Sequence, residues 1–174
     1  MTFKKNSHCS YCGQSFREDQ TWPRACAHCG STSFLNPIPV AVVLIPVDGG
    51  LLFVRRGIEP RKGRLTLPGG FINLGESWQA AGAREVREET GVVIAPIELR
   101  EFRVRSAPDG TLLIFGVAQA RTSGSLPTFA PNDEVTEQVV LSPRQFAALP
   151  RDELAFPLHA DVVEAFFLRR QSAG

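Results

Sequence analysis

From Ile38 the chain runs "IPVAVVLIPV", a stretch without a single charged or polar side chain. Such a run predicts a buried strand, and "DGG" turns it back into "LLFVRR" as a hairpin-like pair. "GIEPRKGR" is a basic loop, and "LTLPGGFINLGE" holds a short strand and a glycine-rich turn. "SWQAAGAREVREET" has helical spacing, with Ser77 as its N-cap and Gly91 as its stop. The runs "VVIAPIELREFRV" and "TLLIFGVAQAR" predict strands joined at "APDG", and after the loop "TSGSLPTFAPNDE" comes another strand, "VTEQVVLS". "PRQFAAL" predicts a short helix. "DVVEAFFLRR" predicts a last one, with Asp161 and Glu164 at capping-box spacing and Val162, Val163, Phe166 and Phe167 on a wide apolar face. Strands outnumber helices in a mixed order, which predicts an α/β sandwich around a mixed sheet.

The stretch before Ile38 has a different texture. It is polar, and "STSFLNPIP" punctuates it with prolines as a join, so the expected division is 1–35 and 36–174. All four cysteines lie in the first part, as "CSYC" (Cys9, Cys12) and "CAHC" (Cys26, Cys29). Two such turns present four thiolates to one point, as tetrahedral zinc requires. Two disulfides or a rubredoxin-like iron site are the alternatives, the former disfavoured in a reducing compartment. His8 and His28 flank the pairs and are read as ordinary polar residues, because four cysteines already fill the shell.

Composition narrows the function classes. Of 174 residues, 43% are hydrophobic and 21% charged, which is the make-up of a soluble globular protein. The formal net charge of +1 supplies no overall pull toward nucleic acid or anionic lipid. No apolar run approaches the roughly 20 residues that span a bilayer, and Lys4 and Lys5 are not followed by an apolar stretch. A cytoplasmic location without membrane partners is the expectation.

Against this near-neutral background, "REVREETG" crowds Glu85, Glu88 and Glu89 into five residues. On a helix the three fall within an arc of roughly 100°, where they repel one another unless a cation sits between them. A divalent cation with oxygen ligands would relieve that repulsion. A solvated, glutamate-rich helix face is the plain alternative.

The wider spacing separates the two. From Gly70 to Val92, "GFINLGESWQAAGAREVREETGV" satisfies G-x5-E-x7-R-E-U-x-E-E-x-G-U, with U apolar, at every fixed position. This is the signature of the Nudix hydrolases. The paired cysteines, "NPIPVAVVLI", "VRRGIEPRKGRLTLPGG", "FAPNDEVTE" and "LAF" resemble the zinc-ribbon branch of that family, which includes pyrophosphatases acting on NADH, ADP-ribose and FAD. The resemblance implies a Nudix α/β/α sandwich with a mixed sheet, preceded by a small zinc ribbon. It also implies catalytic Mg²⁺ or Mn²⁺ beside a structural Zn²⁺. Glu85, Glu88 and Glu89 then hold the divalent metal with the carbonyl of Gly70, and Glu76 pairs with Arg84 to brace the loop and helix. Glu134 is the expected distant metal ligand, with Glu137 as runner-up, and Glu88 or Glu134 the general base. Arg55, Arg56 and Arg64 lie in a basic run that also holds Arg61 and Lys62, which either meets substrate phosphates or is a solvated loop. Phe71, Phe102 and Phe115 are either stacking surfaces for a base or core.

The implied reaction is attack of water on the pyrophosphate of a nucleoside diphosphate derivative. Two departures bear on the substrate. Leu65 stands where the family often has a tryptophan, and no "SQPWPFP"-like element follows the box, which points from NADH toward ADP-ribose, FAD or a related dinucleotide. The alternatives are a nucleotide sensor that does not hydrolyse, though sensors usually lose box glutamates, or an enzyme acting on capped RNA or nucleoside triphosphates. Lys4, Lys5, Arg17 and Arg24 against Glu18 and Asp19 make the ribbon only mildly basic, short of a nucleic-acid footprint. Many members of the family are homodimers, and the resemblance allows that state here.

Overall fold

The computed structural model describes residues 4–171. The chain divides into two compact units, Met1–Pro37 and Ile38–Gly174. In the first, a two-stranded antiparallel ladder forms from β1 (Arg24–Ala25) and β2 (Thr32–Ser33). Two turns repeat one hydrogen-bond pattern there. Gly13 N–H donates to Cys9 O and Gly30 N–H to Cys26 O, while Cys9 N–H donates to Gln14 O and Cys26 N–H to Ser31 O. The same local geometry is thus built once per cysteine pair.

The second unit holds β3 (Ile38–Leu44), β4 (Pro46–Val47), β5 (Gly50–Arg56), β6 (Leu65–Thr66), β7 (Gly69–Phe71), α1 (Trp78–Thr90), β8 (Arg100–Ser106), β9 (Thr111–Val117), β10 (Val135–Leu141), α2 (Pro143–Ala148) and α3 (Pro157–Gln171). One sheet runs β7-β3-β9-β8, with β3 and β9 parallel and the other pairs antiparallel. The other runs β10-β5-β4 with β6 also on β5, all antiparallel. Buried side chains fall into two clusters. One joins Val42, Leu44, Phe53 and Phe115 to Phe146 of α2 and Val163, Phe166 and Phe167 of α3. The other joins Val43, Ile45 and Leu52 to Ala83 and Val86 of α1. Alternate residues of one strand therefore face α1 and the α2–α3 pair, which is a helix–sheet–helix sandwich with a mixed sheet. No described helix is long and apolar enough to cross a membrane.

Three elements differ from the sequence reading. The run from Ile38 is two strands in two sheets, because the chain changes partner at Ile45: Leu44 O accepts from Ala118 N–H, whereas Ile45 O accepts from Leu52 N–H. An all-apolar run carries no period that would mark such a crossing. The stretch 92–99 is not strand. Pro96–Glu98 forms a 3₁₀ turn, and Val92, Ile94 and Leu99 pack on the α1 side while Val93 and Ile97 are exposed. Finally, α3 begins at Pro157, a favourable first-turn residue, so Asp161 lies inside the helix rather than at its cap.

Candidate active site

Helix α1 starts where Ser77 Oγ accepts from Ala80 N–H at 3.1 Å, and stops at Gly91, whose N–H donates to Arg87 O at 2.9 Å. Its buried side packs Ala81, Ala83, Val86 and Thr90 inward. That packing sets the rotation of the helix and so fixes where its glutamates point.

Arg84 organises the charged side. Its Nε and Nη2 reach Glu76 Oε1 and Oε2, each at 3.0 Å, a bidentate pair, and Nη2 also donates to Phe71 O at 3.0 Å. Its Nη1 donates to Glu85 Oε1 at 2.7 Å and Glu88 Oε2 at 3.2 Å. The Arg84 guanidinium and the Asn73 N–H hold Glu76 below the usual carboxylate range. The glycine-rich loop and the helix are thereby tied through one side chain.

Glu85 and Glu89 are under the opposite pressure. Glu89 is only 9% exposed, and burial pushes its carboxyl up to about 8, with the charges of Glu85 and Glu134 adding to the shift. Among the described residues its carboxylate accepts one hydrogen bond, from Gly69 N–H at 2.9 Å. Burial raises Glu85 too, with Glu88 and Glu134 as repelling neighbours. Glu85, Glu88, Glu89 and Glu134 therefore share one electrostatic field that favours a cation. At Gly70 a Cβ would overlap the Glu85 carboxylate and push that side chain aside, so glycine leaves the backbone and the carboxylate in contact. A set of carboxylates beside a closely approaching backbone fits a hard divalent cation with oxygen ligands.

Glu134 arrives from far along the chain by a device the sequence reading missed. Asn132 Oδ1 accepts from Glu134 N–H at 2.9 Å and Val135 N–H at 2.8 Å, while its Nδ2 donates to Glu88 O at 3.1 Å. Gln138 Nε2 adds a bond to Thr90 O at 2.9 Å. The loop before β10 is thus pinned to the end of α1. The turn-forming habit of Asn in "PNDE" was the available signal. Glu137, by contrast, pairs with Arg55 Nε at 2.5 Å on β10.

The other candidates separate cleanly. Arg55 also contacts Glu153 at 3.5 Å, and Arg64 reaches Glu153 at 3.1 Å and Asp152 at 3.7 Å. Arg56 has no ion pair among the described residues. Phe115 is fully buried core, Phe102 packs on Phe166 with Arg169 over its ring, and Phe71 is exposed.

In the first unit, the ligand atoms of Cys9, Cys12, Cys26 and Cys29 lie within 4.8 Å of one another. The Sγ atoms of Cys9 and Cys29 are 3.7 Å apart and those of Cys12 and Cys26 3.6 Å. Hydrogen bonds from Ser31 bring the Cys29 thiol down to about 6. The Gln14 N–H favours the Cys12 thiolate, yet desolvation and the neighbouring sulfurs override it and push Cys12 up to about 12. Four sulfurs so close cannot all ionise without a cation, and their number and convergence fit tetrahedral zinc. His8 Nδ1 lies 2.9 Å from Ser7 Oγ.

A NAD-capped RNA hydrolase NudC of Salmonella heidelberg is 31% identical over 93 residues, which are 53% of this chain and 36% of that protein. The counterpart from Shigella flexneri is 32% identical over the same length, so the chain matches only 36% of these relatives' length. A NUDIX hydrolase from Nitrosomonas europaea superposes with a TM-score of 0.74 at 24% identity, covering 95% of this chain and 93% of that one. A bifunctional NMN adenylyltransferase/ADP ribose pyrophosphatase from Francisella tularensis gives 0.63 at 24% identity, covering 81% and 43%. Both show a shared fold. The profile of the NUDIX domain matches residues 35–166, and the chain belongs to that family.

Proposed function

We propose that this protein is a divalent-metal-dependent pyrophosphatase that hydrolyses a nucleoside diphosphate derivative of the ADP-ribose, FAD or NAD type. The observation that carries the reading is the shared field of Glu85, Glu88, Glu89 and Glu134 beside Gly70, two of them pushed up by burial and mutual repulsion. Glu85, Glu88, Glu89, Glu134 and the Gly70 carbonyl would hold Mg²⁺ or Mn²⁺. When bound, the metal neutralises phosphoryl oxygens and lowers the pKa of water.

The remaining work belongs to the chain. Arg84, fixed by Glu76, keeps the glycine-rich loop and α1 in register and orients Glu85 and Glu88. Glu134 makes no side-chain ion pair among the described residues, so the carboxylate oxygen that it does not give to the metal would take a proton from the attacking water. The water oxygen bonds to phosphorus, the bridging P–O bond breaks, and two phosphorylated products leave. Cys9, Cys12, Cys26 and Cys29 would hold a structural Zn²⁺ that takes no part in the reaction.

A second reading has its own support, since the curated relatives are hydrolases of NAD-capped RNA. That cap also contains a pyrophosphate, so the same cleft chemistry serves both. One panel tests the two: ADP-ribose, FAD, NADH, NAD-capped RNA, diadenosine polyphosphates and nucleoside triphosphates, each with Mg²⁺ and with Mn²⁺. We expect monophosphate release from the dinucleotides. Preferential cleavage of triphosphates would overturn the substrate class, and preference for capped RNA would favour the second reading.

A further inference from the structure

The basic run before the glycine-rich turn holds Arg55, Arg56, Arg61, Lys62 and Arg64, and the fold treats its arginines differently. Arg55 and Arg64 are neutralised by Glu137, Asp152 and Glu153. Arg56 keeps its charge. Its Nε donates to Pro60 O at 2.8 Å, and no carboxylate pairs with its Nη nitrogens among the described residues.

Arg56 also stands at the cleft. It lies opposite Val135 in the ladder of β5 and β10, and the next residue, Gly57, donates its N–H to Glu134 O at 2.6 Å. A Cβ on Gly57 would overlap the Asp133 carbonyl, so glycine permits the strand end to press against the loop that carries Glu134. The Arg56 charge favours ionised Glu89 on one side and opposes protonation of His159 on the other.

Besides the Pro60 carbonyl, an aromatic ring holds the guanidinium. Arg56 Cζ lies 5.3 Å from the Phe156 centroid. Phe156 packs on His159 at 5.2 Å, and His159 packs edge-on against Phe115 at 5.4 Å. His159 is buried, and its Nδ1 lies 3.1 Å from Thr66 Oγ1. The Thr66 hydroxyl also lies 3.1 Å from Leu67 O, so this contact ties the imidazole to the end of β6. The ring under Arg56 is therefore mounted on a fixed, neutral stack.

We propose that Phe156 is a positioning residue that holds Arg56 at the rim of the carboxylate cleft, where the free Nη groups take a phosphate of the diphosphate substrate. The inference rests on the pyrophosphatase reading for its ligand class. An acidic partner would hold the arginine but cancel its charge, as at Arg55, whereas a ring holds it and leaves the charge available. Two Nη donors in a fixed plane match phosphoryl oxygens bidentately, and prior immobilisation lowers the entropic cost of binding.

The test is calorimetric binding of the non-hydrolysable α,β-methylene-ADP with Mg²⁺, alongside kcat and KM on the preferred diphosphate. Arg56→Ala is expected to weaken binding about 10- to 100-fold, the size of lost charge-assisted hydrogen bonds. Phe156→Leu keeps an apolar side chain without the ring and is expected to weaken it about 3- to 10-fold, the size of a partly desolvated cation–π contact. Both losses should fall in KM rather than kcat, Phe156→Trp should restore affinity, and Arg55→Ala should leave it unchanged. If Phe156→Leu melts early, Phe156→Met answers instead, because it fills the same space without a ring and must show the same loss. Wild-type affinity in a folded Phe156→Leu protein, or equal losses at Arg55 and Arg56, overturns the proposal. Arg56-dependent binding without turnover of any diphosphate would sink the pyrophosphatase reading alone, and normal binding and turnover in Arg56→Ala would sink only the receptor.

Discussion

Among the described residues, the four cysteines of the ribbon are the one group of three or more potential ligands gathered within 4.8 Å, whereas the glutamates of the cleft stand further apart. The thiols converge because each pair sits on its own short turn, with the same two backbone hydrogen bonds repeated at Cys9 and Cys26. They can remain close as long as some stay protonated. The glutamates are brought together by a helix, a loop and a strand end. Their repulsion is managed by Arg84 between Glu85 and Glu88, and by protonation of buried Glu89, whose carboxyl lies at about 8. One cluster is a product of local turns and the other of tertiary packing. Metal should therefore mean folding in the first and chemistry in the second.

The largest effect should come from breaking the thiol side. Structural zinc supplies on the order of 10 kcal/mol to small ribbons. Cys12→Ser with Cys29→Ser should therefore abolish one bound zinc per chain and unfold 4–37, read by metal analysis and amide exchange. A ribbon that stays protected without metal would break the comparison. Next, Glu88→Gln with Glu89→Gln should lower turnover by about 10³-fold or more, as expected when metal-assisted catalysis is removed. Far-ultraviolet circular dichroism should stay unchanged, and full activity in this variant would sink the site assignment.

Smaller effects sharpen the contrast. Arg84→Ala removes the tie between Glu76, Glu85 and Glu88, and a loss of about 10- to 100-fold in kcat/KM is expected, the cost of one or two charge-assisted hydrogen bonds. Adding excess Mg²⁺ should recover part of this if Arg84 mainly restrains charge, and none if it mainly sets geometry. Acid should reveal His159. Burial, with the Arg56 charge adding, pushes its pKa down to about 3, so the native state binds fewer protons than the unfolded chain below about 6.5. Stability should then be flat with respect to this group above that pH, and fall by up to about 1.4 kcal/mol per pH unit on the way to 3. His159→Asn should flatten that slope in urea titrations. The smallest effect is Arg64→Ala, expected to change activity less than about twofold, since partly exposed pairs are worth about 0–1 kcal/mol.

Much of this was legible because it is local. Ser77 and Gly91 bound α1 as capping chemistry dictates, and the "APDG" turn closes with Gly110 N–H on Ala107 O. The register of Glu76 with Arg84 follows from one loop and two helical turns. The crossing at Ile45 was not legible, because it depends on which partner the backbone finds rather than on a residue pattern, whereas Pro96 and Pro157 were local first-turn signals that the reading passed over. The same holds for Asn132. Its side chain bonds Glu88 O, 44 positions earlier in the chain, and nothing near it in sequence names that acceptor.

By itself, then, the sequence determined the family, the two cysteine turns, the carboxylate stripe of α1 and the identity of the box, all set by spacing within short segments where backbone geometry is fixed. Only the tertiary structure decided which distant glutamate joins the stripe, which arginines are cancelled by acids, and that Arg56 rests on Phe156. Those outcomes depend on long-range strand pairing and on burial, which change the value of a charge without changing the residue that carries it.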